Sequence, residues 1–142
     1  MSAPDFYFAV NDIFHHIHDN YGKDVLIDYW RKLGEEHYRQ RNAAWKQGGA
    51  PAIAKDWRAY FDKEPCAEVE ITHKEDRVDM DIKVCPSILH LRKNEREIVP
   101  YFCEHCDHIC GAQAEVAGFT FERTGGMGSC HQRFVKLTTG AA

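Results

Sequence analysis

The spacing of apolar residues changes once along this chain, at Pro65. Upstream of Pro65, apolar side chains recur every three or four residues, which is the period of an amphipathic helix. Downstream, Val69 and Ile71 alternate with polar residues, which is the period of a strand with one buried face. This single switch predicts an α+β fold, with a helical half over 1–64 and a strand-helix-strand half over 65–137.

The same periodicity predicts the individual elements and their order. In chain order they are helices over 6–21, over 23–46 and after Pro51, strands over 67–72 and 78–84, a helix over 100–117, and strands starting at 119 and 130. Pro86 is expected to end the second strand, and Pro100 to be the first residue of the last helix. We predict one domain, residues 1–142, in which N-terminal helices pack on a small antiparallel sheet of ββαββ order.

Composition narrows the class of protein. A chain of 142 residues with 44% hydrophobic and 28% charged residues has the size and balance of one globular domain. Its formal net charge of −4 argues against a nucleic-acid partner, and no apolar run reaches the roughly 18 residues of a transmembrane helix. The N-terminal residues lack the basic start of a signal peptide, so a cytoplasmic location is expected.

Six cysteines, all in the second half of the chain, are the main clue to function. They are Cys66, Cys85, Cys103, Cys106, Cys110 and Cys130. In the reducing cytosol, thiols serve metal binding or catalysis more often than they form disulfides. Cys66 stands alone at a predicted strand start and is expected to be a bystander, so the other five define the region of interest.

The helix predicted over 100–117 carries several candidate ligands on one face. At 100° per residue, a single arc of about 100° contains Cys103, Cys106, Asp107 and Cys110. His105 and His108 point roughly the opposite way on a regular helix. The roles of these two histidines and of Cys110 are left open.

A transition-metal site is the first interpretation of the cysteine pattern. Cys85 and Cys130 lie at predicted strand ends, where a rigid scaffold often presents site residues. With Cys103 and Cys106 they form the spacing C-x17-C-x2-C-x23-C. Thiolates in a tetrahedral set are typical ligands of zinc, so we predict zinc as the metal and iron as the second choice.

Two other interpretations of the cysteines stay open. One is a metal-free site with a single reactive thiolate, for which Cys103 is the preferred nucleophile because it lies near a helix N-terminus. A histidine would then be its base. The other interpretation is a set of buried free cysteines that pack as small hydrophobic residues.

Three residues are predicted to take part in proton transfer at this site. His90 lies within five residues of Cys85, and His131 directly follows Cys130. Asp107 shares the cysteine face of its helix and would orient one of the two histidines. The histidines expected to be bystanders are His15, His16, His18, His37 and His73.

The second half of the chain, about residues 66–136, resembles the L-2-amino-thiazoline-4-carboxylic acid hydrolase-like family. The resemblance is carried by Cys85-Pro86-Ser87-Ile88, Phe102-Cys103, Cys106-Asp107 and Gly128-Ser129-Cys130-His131-Gln132-Arg133-Phe134. The chain is also distantly similar to 4-vinyl reductase-type ligand-binding domains, whose small α+β fold places cysteines around zinc beside a cavity. That second resemblance implies metal-holding positions for Cys103, Cys106 and Cys130.

Residues and resemblance together predict a metal-dependent small-molecule hydrolase or lyase, and the resemblance implies a cyclic C–N substrate. The metal would polarise the substrate or lower the pKa of a bound water, which requires an open coordination position. The main alternative is a small-molecule-binding or sensing module with a structural zinc, and a redox or metal-handling protein ranks third. The expected partner is a small molecule and not nucleic acid or a membrane, and the helical half could support a homodimer.

Overall fold

Six α-helices precede or flank a four-stranded sheet in the computed structural model, which describes residues 4–138. The helices are α1 (Phe6–Tyr21), α2 (Lys23–Lys32), α3 (Arg39–Gly48), α4 (Ala50–Asp62), α5 (Pro86–Lys93) and α6 (Glu104–Ala117). The strands are β1 (Glu68–His73), β2 (Arg77–Val84), β3 (Phe119–Gly126) and β4 (Ser129–Lys136). The α+β prediction is confirmed, while residues 1–3 and 139–142 of the predicted domain lie outside the described part. Between residues 4 and 138, no helix has both the length and the apolar character needed to cross a membrane.

The four strands form one antiparallel sheet in the order β1-β2-β4-β3. Two hairpins supply the outer pairs, and β2 and β4 join the hairpins side by side. In this central pairing Ile82 lies opposite Cys130. The two predicted strand pairs are therefore a single sheet, which brings the end of β2 and the start of β4 next to one another.

Alternation along β4 decides which of its side chains meet the helices. Gln132 and Phe134 are buried beneath them. Because successive side chains of a strand point to opposite faces, Cys130 shares this inner face, whereas His131 and Arg133 point outward. Two residues that are adjacent in sequence, Cys130 and His131, thus lie on opposite sides of the sheet.

The prediction of one continuous helix over 23–46 is wrong, because a π-helical turn, Leu33–His37, separates α2 from α3. A π turn interrupts the regular helical hydrogen bonds and leaves backbone groups without their usual partner. Here a buried side chain supplies a partner instead. Asn42 Nδ2 donates to the carbonyl oxygen of Gly34 at 2.8 Å. Gln113 Nε2 on α6 in turn donates to Asn42 Oδ1 at 3.3 Å, so the turn is tied to α6.

Gly34 is the closest point of approach between the π-helical turn and α6. A Cβ atom added at Gly34 would lie 2.4 Å from the carbonyl oxygen of Ile109 and 2.8 Å from Ala112 Cβ. Such distances are far inside van der Waals contact, so only glycine fits. Because Gly34 has no side chain, α6 can pack this closely on the helical half.

Two helix starts in the second half differ from prediction. Pro86 does follow β2 as expected, but it also opens α5, a helix that was not predicted, since proline is well suited to the first helical turn. The last helix was predicted from Pro100 and begins only at Glu104. Tyr101 has φ of +69°, a left-handed conformation that a helix cannot include. The predicted end of this helix is confirmed, because Gly118 caps it with φ of +84°.

Two buried clusters make up the core. The first lies between the sheet and α3, α4 and α6, and the second joins α1, α2 and α5 to the segment before α6. Cys85 packs against both clusters, Cys130 against the first and Cys103 against the second. The cysteines therefore lie along the boundary between the two clusters.

Candidate functional site

The four cysteines predicted as metal ligands come together at that boundary. Cys103 is the N-cap of α6 and Cys106 lies in its first turn, while Cys85 precedes α5 and Cys130 lies in β4. Burial raises the pKa values of Cys103 and Cys130, and the nearby thiols of Cys106 and Cys85 raise them further. The structure thus gathers these four residues, which we call the thiol cluster.

The thiol cluster has the donor atoms of a soft-metal site but not the convergence of one. In the part of the chain that the structure describes, no three Cys, His, Asp or Glu side chains are arranged to hold a metal ion. Two of the thiols have partners within the protein instead. The Met127 N–H donates to Cys103 Sγ at 3.1 Å, and Cys85 Sγ lies 3.1 Å from Ser87 Oγ.

Burial keeps the inner thiols protonated at neutral pH. It raises the pKa of Cys106 to about 11 and that of Cys130 to about 11. The Gln132 amide, whose Nε2 lies 3.6 Å from Cys130 Sγ, opposes this increase in both. A half-buried thiol with such a pKa reacts readily at neutral pH only if a base in contact with it takes its proton.

Cys106 has a base in contact with it. Its Sγ lies 3.6 Å from Nε2 of His105. The other ring nitrogen of His105, Nδ1, is bonded to the carbonyl oxygen of Phe102 and must be the protonated one, because a carbonyl only accepts. Nε2 therefore keeps its lone pair and can accept the thiol proton. A thiol, a base and a group that fixes the tautomer of the base together define an activated nucleophile.

Aromatic rings enclose the imidazole of His105. The ring centroids of Phe102, Phe14 and Trp30 lie 4.7, 5.6 and 6.4 Å from that of His105. Burial lowers the pKa of His105, although the bond to Phe102 and the charge of Asp107 oppose this. The imidazole is consequently neutral at pH 7, as a base must be before it accepts a proton.

The lowered pKa of His105 predicts how stability depends on pH. The unfolded chain takes up this proton near the ordinary histidine value of 6.5, and the folded chain takes it up only at lower pH. Stability is therefore complete above about pH 6.5 and falls below it, by at most about 1.4 kcal/mol per pH unit. Urea unfolding of the wild type and of His105→Gln at pH 7 and pH 5 measures the effect. We expect the variant to lose less stability than the wild type between the two pH values; equal losses would contradict the assignment.

Asp107, predicted to orient a histidine, is paired with Arg123 instead. Nε and Nη2 of Arg123 each donate to one oxygen of this carboxylate at 2.8 Å. Nη1 of the same guanidinium is bonded to the carbonyl oxygen of Gly125. The pair joins α6 to β3. Beside the thiol cluster the charge of Arg123 opposes the burial-induced rise in the pKa of Cys106, whereas the charge of Asp107 adds to it.

His131, predicted to move protons, lies away from the thiol cluster on the outer face of the sheet. Its Nε2 is 3.1 Å from Asp79 Oδ1, which also accepts from Arg133 Nε at 2.7 Å. Arg77 Nε lies 2.9 Å from the second oxygen of this carboxylate. The period of two along β4 explains the placement, since the neighbour of an inward residue points outward.

His90 also lies apart from the thiol cluster. Its Nε2 is 3.1 Å from Asp5 Oδ1, and its ring stacks on Phe8 with centroids 4.8 Å apart. His90 helps to line a small pocket of about 50 Å³ beside α5, whose wall includes Tyr7 and Glu64. The structure therefore does not bring His90 into contact with the cysteines it was predicted to serve.

A larger cleft gives access to the edge of the thiol cluster. It has a volume of about 320 Å³ and is lined by Cys85, by Ile88, Leu89 and Arg92 of α5, and by the turn between β3 and β4. That turn is held by the hydrogen bond from its Met127 N–H to Cys103. The volume is in the range of small-molecule sites, which run from roughly 300 to 1,000 Å³.

Of the residues left open by the sequence, His105 contacts Cys106, His108 packs on α2, and Cys110 is a buried neighbour of Cys106 and Cys130 on the core side. The ring of His108 stacks on Trp30 with centroids 5.9 Å apart, and Cys110 is buried in the first core cluster. A helical wheel separates His105 from Cys106 by 100°, but it ignores the length of the imidazole, which reaches its neighbour's sulfur. The adjacent His-Cys pair near a helix start was the available signal for this contact.

Comparisons of the chain with protein-family models and with curated proteins found no match. The arguments for function therefore come from the chemistry of the site: a cluster of four thiols, one of them in contact with a half-buried imidazole, with Cys85 at its edge lining an open cleft.

Proposed function

We propose that this protein is a small-molecule hydrolase in which Cys106 is the nucleophile and His105 is the general base. The observation that carries the proposal is the 3.6 Å contact between Cys106 Sγ and His105 Nε2, with Nδ1 bonded to the Phe102 carbonyl. Among the described residues an imidazole nitrogen contacts Cys106, whereas the recorded partners of the predicted nucleophile, Cys103, belong to Met127. The resemblance stated above supports a C–N bond as the one hydrolysed.

The proposed reaction uses one thiol and one imidazole in two stages. Cys106 Sγ attacks the carbonyl carbon of an amide C–N bond while His105 Nε2 takes the thiol proton. The C–N bond then breaks, the leaving nitrogen takes that proton from His105, and a thioester remains. In the second stage His105 takes a proton from water, the resulting hydroxide attacks the thioester, and the proton returns to the departing sulfur. The net reaction adds one water across the C–N bond.

Arg123 and Asp107 act in this scheme as positioning residues. The guanidinium favours the negative sulfur that exists briefly at each stage, because a nearby cation stabilises a thiolate. The carboxylate of Asp107 holds the guanidinium with two hydrogen bonds. His90 and His131 have no step in this scheme because their side chains are bonded to Asp5 and Asp79.

Acetylation by p-nitrophenyl acetate tests the proposal without knowledge of the natural substrate. We expect a burst of about one equivalent of nitrophenolate, with the acetyl group found on Cys106 by peptide mass spectrometry. Cys106→Ala should abolish the burst. The matched control is Cys66→Ala, since Cys66 is an exposed thiol outside the cluster. Absence of a burst, or acetylation of Cys66 instead, would overturn the proposal.

A second candidate is a zinc-holding protein, either the metal-dependent hydrolase or lyase or the binding module predicted above. The gathering of Cys85, Cys103, Cys106 and Cys130 at one boundary favours it, because four thiols are a known zinc donor set. Bound zinc would supply a Lewis acid, or structural support if all four thiolates ligate it. Side chains of the thiol cluster would have to turn toward one another before they could bind the ion.

Metal analysis of protein purified without added metal separates the two candidates. Thiolate sites bind zinc tightly, so a zinc-holding protein retains close to one equivalent. Less than about a tenth of an equivalent of zinc or iron would exclude this second candidate. In the opposite case, a full equivalent that is lost in Cys103→Ser but kept in Cys66→Ser would place the ion in the thiol cluster.

A further inference from the structure

The cleft beside α5 combines a thiol with a positive charge. Of the described residues that line its volume of about 320 Å³, only Arg92 is charged and only Cys85 carries a thiol. The rest of the wall consists of apolar side chains, glycines and one serine. Within residues 4–138 the Arg92 side chain has no hydrogen-bond or ion-pair partner. The reaction proposed above uses neither Cys85 nor Arg92.

Cys85 and Arg92 lie on the same side of α5. They are seven positions apart, which is two turns of the helix or about 10 Å along its axis. Helical side chains lean toward the N-terminus, so the Arg92 guanidinium reaches back toward Cys85. Gly128 contacts both, because the Cys85 N–H donates to its carbonyl oxygen at 2.9 Å and Arg92 Nη1 lies 3.3 Å from the position of a Cβ added at Gly128. The thiol and the cation therefore flank the same part of one cleft.

The surroundings of Cys85 favour negative charge on its sulfur when the thiol reacts. Cys85 is the N-cap of α5, where the aligned peptide dipoles attract a negative group. Ser87 Oγ lies 3.1 Å from Cys85 Sγ, and its hydroxyl can donate to a thiolate. Cys85 is half-buried and forms part of the cleft wall, so a molecule in the cleft contacts this residue.

We propose that the cleft binds small disulfides that carry a carboxylate, and that these convert Cys85 to a mixed disulfide. Arg92 holds the carboxylate by an ion pair. The Cys85 sulfur attacks one sulfur of the bound molecule, the S–S bond breaks, and the other half leaves as a thiolate, while the Cys85 proton passes to water. Cys85 is oxidised in this step and the small disulfide is reduced.

The modification is reversible. An incoming thiol attacks the mixed disulfide and releases Cys85. Occupancy of the cleft therefore follows the balance between small disulfides and small thiols around the protein. The inference goes beyond the proposed function and does not rest on it, because neither Cys106 nor His105 takes part in the exchange.

Two aromatic disulfides test the inference. 5,5′-Dithiobis(2-nitrobenzoic acid) carries two carboxylates, whereas 4,4′-dithiodipyridine is uncharged at neutral pH. Both react by the same exchange and release a chromophore. The initial rate at Cys85, measured by peptide mass spectrometry, is divided by the rate at Cys66, an exposed thiol that serves as the internal standard for each reagent. The ratio of the two normalised rates is the preference for the anionic reagent.

Wild type should prefer the anionic reagent at Cys85, and Arg92→Gln should reduce this preference about fivefold, the upper range for one exposed ion pair. Arg92→Lys keeps the charge and should retain most of the preference. The matched control is Arg96→Gln, since the Arg96 guanidinium lies 4.0 Å from the centre of the Phe8 ring and does not line the cleft. This variant should behave like the wild type.

Two results would overturn the inference. One is an unchanged preference in Arg92→Gln, which should fold normally because Arg92 is exposed. The other is the absence of a mixed disulfide at Cys85 with both reagents. The exchange requires no turnover, so this experiment and the acetylation test can fail separately: modification of Cys85 that depends on Arg92 would appear whether or not Cys106 gives an acetyl burst.

Discussion

Replacing His105 with glutamine should slow acetylation of Cys106 by p-nitrophenyl acetate about 100- to 10,000-fold, the usual contribution of a general base. Cys106 has a pKa raised to about 11, so very little thiolate exists at neutral pH without a base. Glutamine can still donate a hydrogen bond to the Phe102 carbonyl, but its amide cannot accept the thiol proton. Stopped-flow measurement of nitrophenolate release gives the rate directly.

The control for this variant lies one turn along the same helix. His108 stacks on Trp30 and also lies against α2, so His108→Gln removes an imidazole from a similar place without touching Cys106. We expect its acetylation rate to stay within about threefold of the wild type. If the two variants slowed acetylation equally, the loss would reflect altered packing of α6 and not a missing base.

The largest expected effect on stability is that of Gly34→Ala, which should lower the free energy of unfolding by about 3 kcal/mol. The added Cβ would lie 2.4 Å from the Ile109 carbonyl oxygen, which belongs to the backbone of α6 and cannot rotate away. Relief requires the π-helical turn and α6 to move apart, which would strain the 2.8 Å hydrogen bond from Asn42 to Gly34. Urea unfolding followed by circular dichroism measures the loss.

Gly111→Ala is the matched control for this prediction. Gly111 lies on α6, and a Cβ added there meets no atom within 4 Å. Alanine has the higher helix propensity, so this variant should gain up to about 1 kcal/mol. We expect the free energy of unfolding to fall in Gly34→Ala and to rise in Gly111→Ala. A Gly34→Ala variant as stable as the wild type would show that the two segments separate without cost.

Much of the fold follows from periodicity, and the differences have local causes. The change from helical to alternating spacing at Pro65 correctly separates α1–α4 from the sheet. Periodicity could not show the π-helical turn, because the apolar stripe of α2 continues past it into α3. It could not show the delayed start of α6 either, since a left-handed φ at a non-glycine residue such as Tyr101 leaves no mark on the spacing of apolar residues.

The candidate site was predictable in outline and not in its contacts. Strand ends and one helix face were sufficient to gather Cys85, Cys103, Cys106 and Cys130. The contacts of these residues could not be predicted from the sequence, because the identity of the base depends on which ring nitrogen of His105 is free to accept a proton. The alternation of side chains along β4 places His131 on the outer face, whereas adjacency in the sequence predicts it beside Cys130.

The position of the thiols between two core clusters has a consequence for how this protein can change during evolution. α6 contacts both clusters, and Cys85 packs against both, so neither half of the molecule contains the site by itself. Recombination that exchanged residues 4–62 for an unrelated helical segment would keep every cysteine and still remove two of the three rings around His105, those of Phe14 and Trp30. New specificities can therefore arise by single substitutions in the cleft. Exchange of either half as a module would destroy the site.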